Sequence, residues 1–270
     1  MSKKEKATKT MNSNLNSFSR RHIGIDQKVS AEMLKDIGFS KMDDFIQSIV
    51  PKNIYSPESL SVSSELSEEE ALRYIEEISK KNKVYKTYIG QGFYNSVTPA
   101  PILRNIFENP GWYTSYTPYQ PEIAQGRLEA LINYQTMICD LTGMEIANAS
   151  LLDEPTAAAE AMMLAKRLSK SKANLFIVDE QCLPQTINVL ETRAKPLGIE
   201  IKIGDPQKMQ DEEYFAALVQ YPGVDGVIRD FSDLVASSHK NEALVIFAAD
   251  ILALTLIKPP GEFGADIVIG

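Results

Sequence analysis

The amino-acid sequence predicts an α/β fold with a mostly parallel sheet and flanking helices, preceded by a small helical segment. Short apolar runs alternate with helical patterns in the second half of the chain. Several of these runs are apolar on both faces, which is typical of parallel strands buried between helices. The chain also has 270 residues, 44% of them hydrophobic, and this length can bury a sizeable core.

Composition and charge exclude several classes of function. The formal net charge is -8 and no basic patch stands out, so we expect no nucleic-acid partner. The cysteines, Cys139 and Cys182, lack CxxC spacing, and His22 and His239 lie far apart, so we expect no disulfide framework and no metal site. No apolar run approaches the roughly 20 residues of a membrane-spanning helix, and we expect no membrane partner.

Residues 1–22 are predicted to form a disordered basic tail. The segment is polar and Ser/Asn-rich, and it has too little apolar area to offset the entropy of ordering. Its basic, acid-poor character also fits a mitochondrial transit peptide, although its charges are mostly Lys and no amphipathic stripe is visible. We therefore expect a cytoplasmic protein, with the mitochondrial matrix as the alternative.

Residues 23–83 are predicted to form an N-terminal helical segment. Its three helices cover "SAEMLKDIGF", "SKMDDFIQSIV" and "SEEEALRYIEEISKK". Ser40 with Asp43, and Ser67 with Glu70, have the spacing of a capping box, in which each side chain bonds the other residue's backbone N–H. The third helix is expected to bury an apolar stripe made by Leu72, Ile75 and Ile78.

Residues 84–270 are predicted to form an incomplete large α/β domain. A helix from Ile102 to Glu108 comes first, followed by a helix in which Pro121 occupies the first turn and Gly143 the C-terminal cap. The strand candidates are "EIANASLL", "NLFIVDE", "IEIKIGD", "VDGVIRD", "ALVIFAAD" and "GADIVIG". The helix candidates between them are Thr156 to Ser169, "PQTINVLETRAKPLG", "DEEYFAALVQY" and "FSDLVASSHKNE". Because the last strand is apolar and follows a parallel pattern, the sequence is expected to be a fragment of a longer chain.

Two stretches suggest phosphate or dinucleotide binding, and both have features against it. In "GQGFYN", Gly90 and Gly92 match the first two glycines of a dinucleotide fingerprint, but no helix follows to receive the pyrophosphate. In "LLDEPTAAAEAM", the helix N-terminus near Thr156 could hold a phosphate, or the helix could simply pack closely on the sheet. The anionic side chains before it, and a proline without an N–H, weaken the phosphate interpretation.

Asp250 follows the buried strand "ALVIFAAD". Ligands of open α/β sheets bind at the carboxyl ends of strands, so this carboxylate could pair with a protonated ring nitrogen. It could equally cap the next helix. Both interpretations stay open on the sequence.

The densest polar cluster is "SYTPYQPE", which precedes an amphipathic helix. Tyr116, Tyr119, Gln120 and Glu122 supply phenol, amide and carboxylate groups, and prolines stiffen the loop that carries them. The group could be held ready for a ligand. Alternatively, the tyrosines could be buried and bonded to backbone groups in a rigid loop.

The run "YTPYQPEIAQGRLEALINYQTM" closely resembles the glycine cleavage system P-protein family, the decarboxylating glycine dehydrogenases. The likeness covers nearly everything from "RRHIG" to the end and looks like an N-terminal portion. It implies fold type I, the aspartate aminotransferase-like fold of pyridoxal-phosphate-dependent transferases, built from two homologous halves. It also implies an enzyme that decarboxylates glycine and passes the aminomethyl group to the lipoyl arm of the H-protein, with T-protein and L-protein in the same cycle.

The resemblance also implies where the cofactor is held. In this family the second half carries the lysine that binds pyridoxal 5'-phosphate, so this chain is expected to contain no catalytic residue and to be inactive alone. Tyr116, Tyr119, Gln120 and Glu122 are hypothesised to wall the second half's pocket, and Thr156 and Asp250 are vestigial candidates. The alternative is a purely structural half with no residue in the active site.

Overall fold

The computed structural model describes residues 18–58, 61–64, 66–114 and 117–270. Within these residues the chain forms two compact units that divide between Lys86 and Thr87. The helices of the first unit are α1 (Phe18–His22), α2 (Gln27–Asp36), α3 (Met42–Ile49) and α4 (Glu68–Ser79). Most of the predicted disordered tail, residues 1–17, lies outside the described residues, and its last five residues form α1.

Helix α4 has the capping box that the sequence predicts. The Ser67 backbone N–H donates to the Glu70 carboxylate at 2.8 Å, and the Glu70 N–H donates to the Ser67 hydroxyl at 3.3 Å. The other predicted box is wrong, because α3 begins at Met42 with Lys41 as an N-cap that makes no side-chain bond. A capping box needs its first residue at the N-cap, and the N-cap of α3 is Lys41, one residue after Ser40.

The predicted buried stripe of α4 is also wrong. Its three apolar residues expose 42–69% of their surface (Leu72 69%, Ile75 63%, Ile78 42%). The amphipathic pattern is real, but no element of the first unit covers this face in the described chain. The stripe is therefore an exposed apolar face on a well-capped helix.

The second unit contains the sheet. Its helices are α5 (Ala100–Ile102), continued by a π-helical turn (Leu103–Phe107), α6 (Pro110–Tyr113), α7 (Gln125–Thr142), α8 (Glu154–Leu168), α9 (Pro184–Ala194) and α10 (Ser232–Lys240). Short 3-10 helices cover Lys195–Leu197, Pro206–Lys208, Ala253–Thr255 and Pro260–Phe263. Its strands are β1 (Leu175–Asp179), β2 (Glu200–Gly204), β3 (Ala216–Tyr221), β4 (Leu244–Ala249) and β5 (Ile267–Ile269).

All five strands are parallel and follow the order β2-β1-β3-β4-β5. One face of the sheet packs against α8 and α9, and the other face packs against α10. Alanines of α8 such as Ala158 and Ala159 are fully buried, so this helix lies close to the strands. The structure thus has the predicted parallel sheet with helices on both faces.

Four local predictions are wrong. "DEEYFAALVQY" contains β3 rather than a helix, because a central strand that is apolar on both faces has no alternating pattern to distinguish it. "VDGVIRD" is a loop and "EIANASLL" contains no strand. Pro121 lies in a turn, and α7 begins only at Gln125. Gly143 does end α7 as predicted, in the left-handed conformation with φ 71°.

Candidate functional site

The carboxyl edge of the sheet gathers polar side chains from several elements. Asp179 ends β1, Gln220 lies near the end of β3, and Asp250 follows β4. Helix α8 also begins at this edge. The side chain of its first residue, Glu154, accepts a hydrogen bond from Thr186 in the first turn of α9. Open α/β sheets bind their ligands at this edge, so a ligand-binding site is expected here.

The N-terminus of α8 is capped by the carboxylate of Asp153. Asp153 accepts a hydrogen bond from the Thr156 backbone N–H at 2.8 Å. Hydrogen bonds from the Thr156 hydroxyl and backbone lower the pKa of Asp153, so this carboxylate stays ionised. Pro155 has no N–H to offer. A free phosphate would therefore meet a negative charge and few unused donors.

The next residue, Glu154, places a second carboxylate in a partly buried position beside the sheet. Its carboxylate accepts from the Thr186 hydroxyl at 2.8 Å and is also hydrogen-bonded by the Gln220 side chain. Burial raises the pKa of Glu154 in spite of these two bonds. Thr186 and Gln220 are themselves buried, and the side-chain oxygen Oε1 of Gln220 has no hydrogen-bond partner in the structure.

Asp179 and Cys182 lie next to this network. The Asp179 carboxylate accepts from the backbone N–H groups of Gln181 at 2.9 Å and Gln220 at 3.4 Å, while burial raises its pKa. Burial, with the negative charges of Asp179 and Glu154, raises the pKa of the Cys182 thiol well above its usual value. The thiol therefore stays protonated, and it is unsuited to act as a nucleophile.

Asp250 has the contacts of a capping residue. Its Oδ1 accepts from the backbone N–H groups of Leu252 at 2.9 Å and Ala253 at 3.4 Å. It is exposed at the start of the turn that leads into the Ala253–Thr255 helix. Of the two interpretations that the sequence leaves open, these bonds match the second. Thr156 and Asp250 each bond within their own segment.

The polar loop before α7 is exposed where the structure describes it. Tyr116 lies outside the described residues. Tyr119 exposes 87% of its surface, and Gln120 and Glu122 are exposed as well. The Gln120 carbonyl accepts from the Ala124 N–H at 3.1 Å, which closes a turn just before α7.

The network of Glu154, Thr186 and Gln220 was not predicted as a site. One signal in the sequence points to it, which is a carboxylate placed beside a helix N-terminus that otherwise suits an anion. Thr186 and Gln220 are single polar residues within apolar segments, and only the fold brings them to Glu154. Lys258 is exposed in a loop, with its ammonium 4.2 Å from the centre of the Phe263 ring. In the described ranges, no helix combines the length and apolar character needed to cross a membrane.

Comparison with known proteins identifies the family. The family model described as "Glycine cleavage system P-protein" matches residues 20–270. The chain belongs to this family. Its sheet with flanking helices is that of the fold type I enzymes that use pyridoxal phosphate.

The relatives with known names are much longer than this chain. It is 56% identical over 257 residues to the glycine dehydrogenase (decarboxylating) of Nostoc sp. (strain PCC 7120), covering 95% of this chain and 26% of the relative. It is 55% identical over 252 residues to the protein of the same name from Cereibacter sphaeroides (strain KD131), covering 93% of this chain and 26% of that relative. The chain thus spans about a quarter of the length of these relatives and matches an N-terminal portion of them.

A solved structure of the family has the same fold. The chain is similar to the crystal structure of glycine decarboxylase (P-protein) of the glycine cleavage system in an inhibitor-bound form, with a TM-score of 0.81 and 31% identity. The match covers 92% of this chain and 57% of that one.

The P-protein family depends on pyridoxal phosphate, but the residues at this carboxyl edge do not fit that group. Asp153 occupies the helix N-terminus that would receive a phosphate, and Pro155 supplies no donor. Asp250 uses Oδ1 to bond backbone amides. Glu154 fills the space between α8, α9 and β3 with another negative charge.

Proposed function

We propose that this chain is part of the first half, the half without the cofactor lysine, of an enzyme that decarboxylates glycine. The family membership supports this proposal, and so does the contrast between the two parts of the second unit. The carboxyl edge is filled by the chain's own carboxylates, whereas Tyr119, Gln120 and Glu122 are exposed on a stiff loop. This contrast is the observation on which the proposal rests. A half that holds no cofactor can still contribute side chains to a neighbouring pocket.

Contacts anchor the described residues on either side of this loop. Arg127, in the first turn of α7, donates from Nη2 to the Thr114 carbonyl at 2.8 Å and to the Gly111 carbonyl at 3.5 Å. Ala124 exposes only 4% of its surface and anchors the other end of the loop. A short loop fixed at both ends loses less entropy when it contacts a ligand. The Tyr119 phenol can then donate a hydrogen bond, and the Glu122 carboxylate can accept one.

In this proposal the pyridoxal phosphate belongs to a second half, which is fused to this chain or made as a separate subunit. The bound group supplies the electron sink that lets CO2 leave glycine. The residues of this chain orient the incoming groups and exclude water at the boundary between the halves. Glycine, the lipoylated H-protein, T-protein and L-protein are the proposed partners of the complete enzyme, and the cytoplasm is its proposed location, with the mitochondrial matrix as the alternative.

The test is Tyr119→Phe in the complete enzyme that contains this segment. Removing the hydroxyl leaves an exposed ring of nearly the same shape, so folding is expected to be unchanged. Glycine decarboxylation with lipoylated H-protein is expected to fall about tenfold, the usual effect of one lost hydrogen bond in a transition state. Tyr85→Phe is the matched control, because Tyr85 is also exposed, at 77%, but lies in the first unit.

The alternative is a structural half in which no residue touches the chemistry. It predicts that Tyr119→Phe changes the amount of assembled enzyme but not the turnover of what is assembled. Wild-type turnover in Tyr119→Phe would therefore overturn the role of this loop. The isolated 270-residue chain is expected to show no decarboxylation, and measurable turnover by it would contradict the assignment of the cofactor to a second half.

A further inference from the structure

The carboxylate of Glu154 is held beside the sheet by neutral groups. It accepts from the Thr186 hydroxyl of α9 at 2.8 Å and from the side-chain amide of Gln220 in β3. Both partners are buried. In the described part of the chain, the groups that shift the pKa of Glu154 include no lysine and no arginine. A partly buried carboxylate without a cationic partner is costly to keep.

Packing and hydrogen bonding do not require a charge at this position. A glutamine of the same size could bond the same two partners without adding a buried charge. Burial raises the pKa of Glu154, which means that its surroundings disfavour the ionised form. A charged group that is kept where a neutral one would fit better is a reason to look for a function.

Glu154 lies where this fold would hold an anionic ligand. Helix α8 begins at the carboxyl edge of the parallel strands, the edge at which open α/β sheets bind ligands. The N–H groups at a helix N-terminus favour an anion, and phosphates bind at such helix ends. In this space the Glu154 carboxylate uses the Thr186 hydroxyl and the Gln220 amide, two donors that a ligand would otherwise meet.

The side chain of Gln220 is a second, independent indication of a ligand position. It exposes only 6% of its surface, its amide bonds to Glu154, and its Oε1 has no hydrogen-bond partner in the structure. Proteins rarely leave a buried acceptor unpaired. If the Glu154 side chain were shortened, this amide would offer one donor and one acceptor to a bound molecule.

We propose that Glu154 is a specificity-determining residue that keeps pyridoxal phosphate out of this half, because its carboxylate takes the place and the hydrogen-bond donors that the phosphate would use. This inference rests on the proposed function, in which a second half holds the cofactor. Asp153 adds a negative charge at the same helix end, but it bonds locally to the Thr156 N–H. Glu154 is the carboxylate that reaches across to α9 and β3.

The experiment measures ligand binding by the 270-residue chain. Three variants share Asp153→Ser, because serine keeps the helix cap and removes the exposed charge. The first variant has no other change, the second adds Glu154→Ala, and the third adds Glu154→Gln. The probe is pyridoxamine 5'-phosphate, which has no aldehyde and so forms no Schiff base with surface lysines. Equilibrium dialysis gives its Kd, and thermal melts with inorganic phosphate report binding as a rise in Tm.

The variant with Glu154→Ala is expected to bind the probe about tenfold more tightly than Asp153→Ser alone, because a like charge is removed and two donors become free. Inorganic phosphate is expected to raise the Tm of this variant and not that of the other two. The variant with Glu154→Gln is expected to bind as weakly as Asp153→Ser alone, since glutamine fills the same space. Equal Kd values for the alanine variant and Asp153→Ser, or a glutamine variant that binds as tightly as the alanine variant, would overturn the proposal.

A second measurement covers loss of folding in the alanine variant. If its melt is not cooperative, the same substitutions are made in the complete enzyme and the bound cofactor is counted for each chain. An additional equivalent relative to Asp153→Ser is expected with Glu154→Ala, and an unchanged count would overturn the proposal.

Failure of this inference and failure of the proposed function give different results. If the wild-type complete enzyme does not decarboxylate glycine with lipoylated H-protein, the proposed function fails, whatever the Kd values are. If it does, and the three variants bind the probe equally, only the role of Glu154 fails.

Discussion

Replacing Glu154 by Gln is expected to stabilise this protein, although the substitution removes a hydrogen-bonded carboxylate. The Gln amide oxygen can still accept from the Thr186 hydroxyl, which now donates to Glu154 at 2.8 Å. Once the Gln220 amide turns by 180°, its oxygen, which has no partner in the structure, can accept from the new NH2 group in place of the bond that Gln220 now donates to Glu154. The variant also removes a charge, and burial of that charge raises the pKa of Glu154. The partner gained by the oxygen and the loss of the charge both relieve a cost of burying polar groups.

The magnitude follows from the unpaired oxygen. Leaving a buried acceptor without a partner costs about 1–3 kcal/mol, and partial exposure of Glu154 puts the expected gain near the low end, at about 1 kcal/mol. The gain depends on pH. Below the ordinary Glu pKa of 4.5 the carboxyl is neutral in the folded and the unfolded chain. As the pH rises above that value, the unfolded chain ionises first, so wild type loses stability until the pH passes the raised folded pKa.

Urea unfolding of the 270-residue chain at pH 4 and pH 7.5 measures both effects. We expect the Glu154→Gln midpoint to exceed that of wild type at pH 7.5, with a smaller difference at pH 4. Glu160→Gln is the control, because Glu160 is in the same helix and pairs with Arg193 of α9 at 2.7 Å, with both side chains 42% exposed. This exposed pair is expected to change stability by less than about 1 kcal/mol. A Glu154→Gln variant less stable than wild type, or a difference independent of pH, would refute the reasoning.

Two further substitutions test packing and capping. Gly261→Ala is expected to lower the free energy of unfolding by about 1–3 kcal/mol, since its Cβ would lie 2.1 Å from the Gly143 carbonyl oxygen. Gly126→Ala, whose Cβ meets nothing within 4 Å, is its control and is expected to be neutral or stabilising; equal urea midpoints for the two variants would contradict the packing. Ser67→Ala is expected to destabilise α4 by about 1 kcal/mol and to speed amide exchange in its first turn, and unchanged exchange would show that the capping box contributes nothing.

The sequence predicted the layers of the fold better than its individual elements. The helices around the sheet, the strands β1, β2, β4 and β5, and the cap at Gly143 follow from periodicity and turn chemistry. Strand β3 does not, because all six of its residues are buried and, apart from Gln220, its pattern shows no alternation of polar and apolar residues. A helix and a central strand look alike under those conditions, and only the neighbouring strands decide between them.

The polar network shows a second limit of the sequence. Glu154 and Thr186 lie in adjacent helices, and Gln220 comes from a strand between two other strands. Their proximity depends on the crossover of the chain and not on any local pattern. Asp153 is different, because its contact is within four residues and the helix start predicts a cap. Of the local bonds, the spacing of Ser67 and Glu70 predicted a real capping box and that of Ser40 and Asp43 did not, and the bonds between elements were not predicted.

The order of the strands has a consequence for how the protein reaches its native state. Strand β1 lies between β2 and β3, so Leu175 must find Glu200 on one side and Phe176 must find Ala216 on the other. Each pairing closes a loop of tens of residues, and the entropy of loop closure is lost before the backbone hydrogen bonds form. Assembly of the sheet is therefore slow relative to helix formation. During synthesis β1 therefore leaves the ribosome before its two partner strands, β2 and β3, so the backbone groups at both of its edges are unpaired until those strands are made.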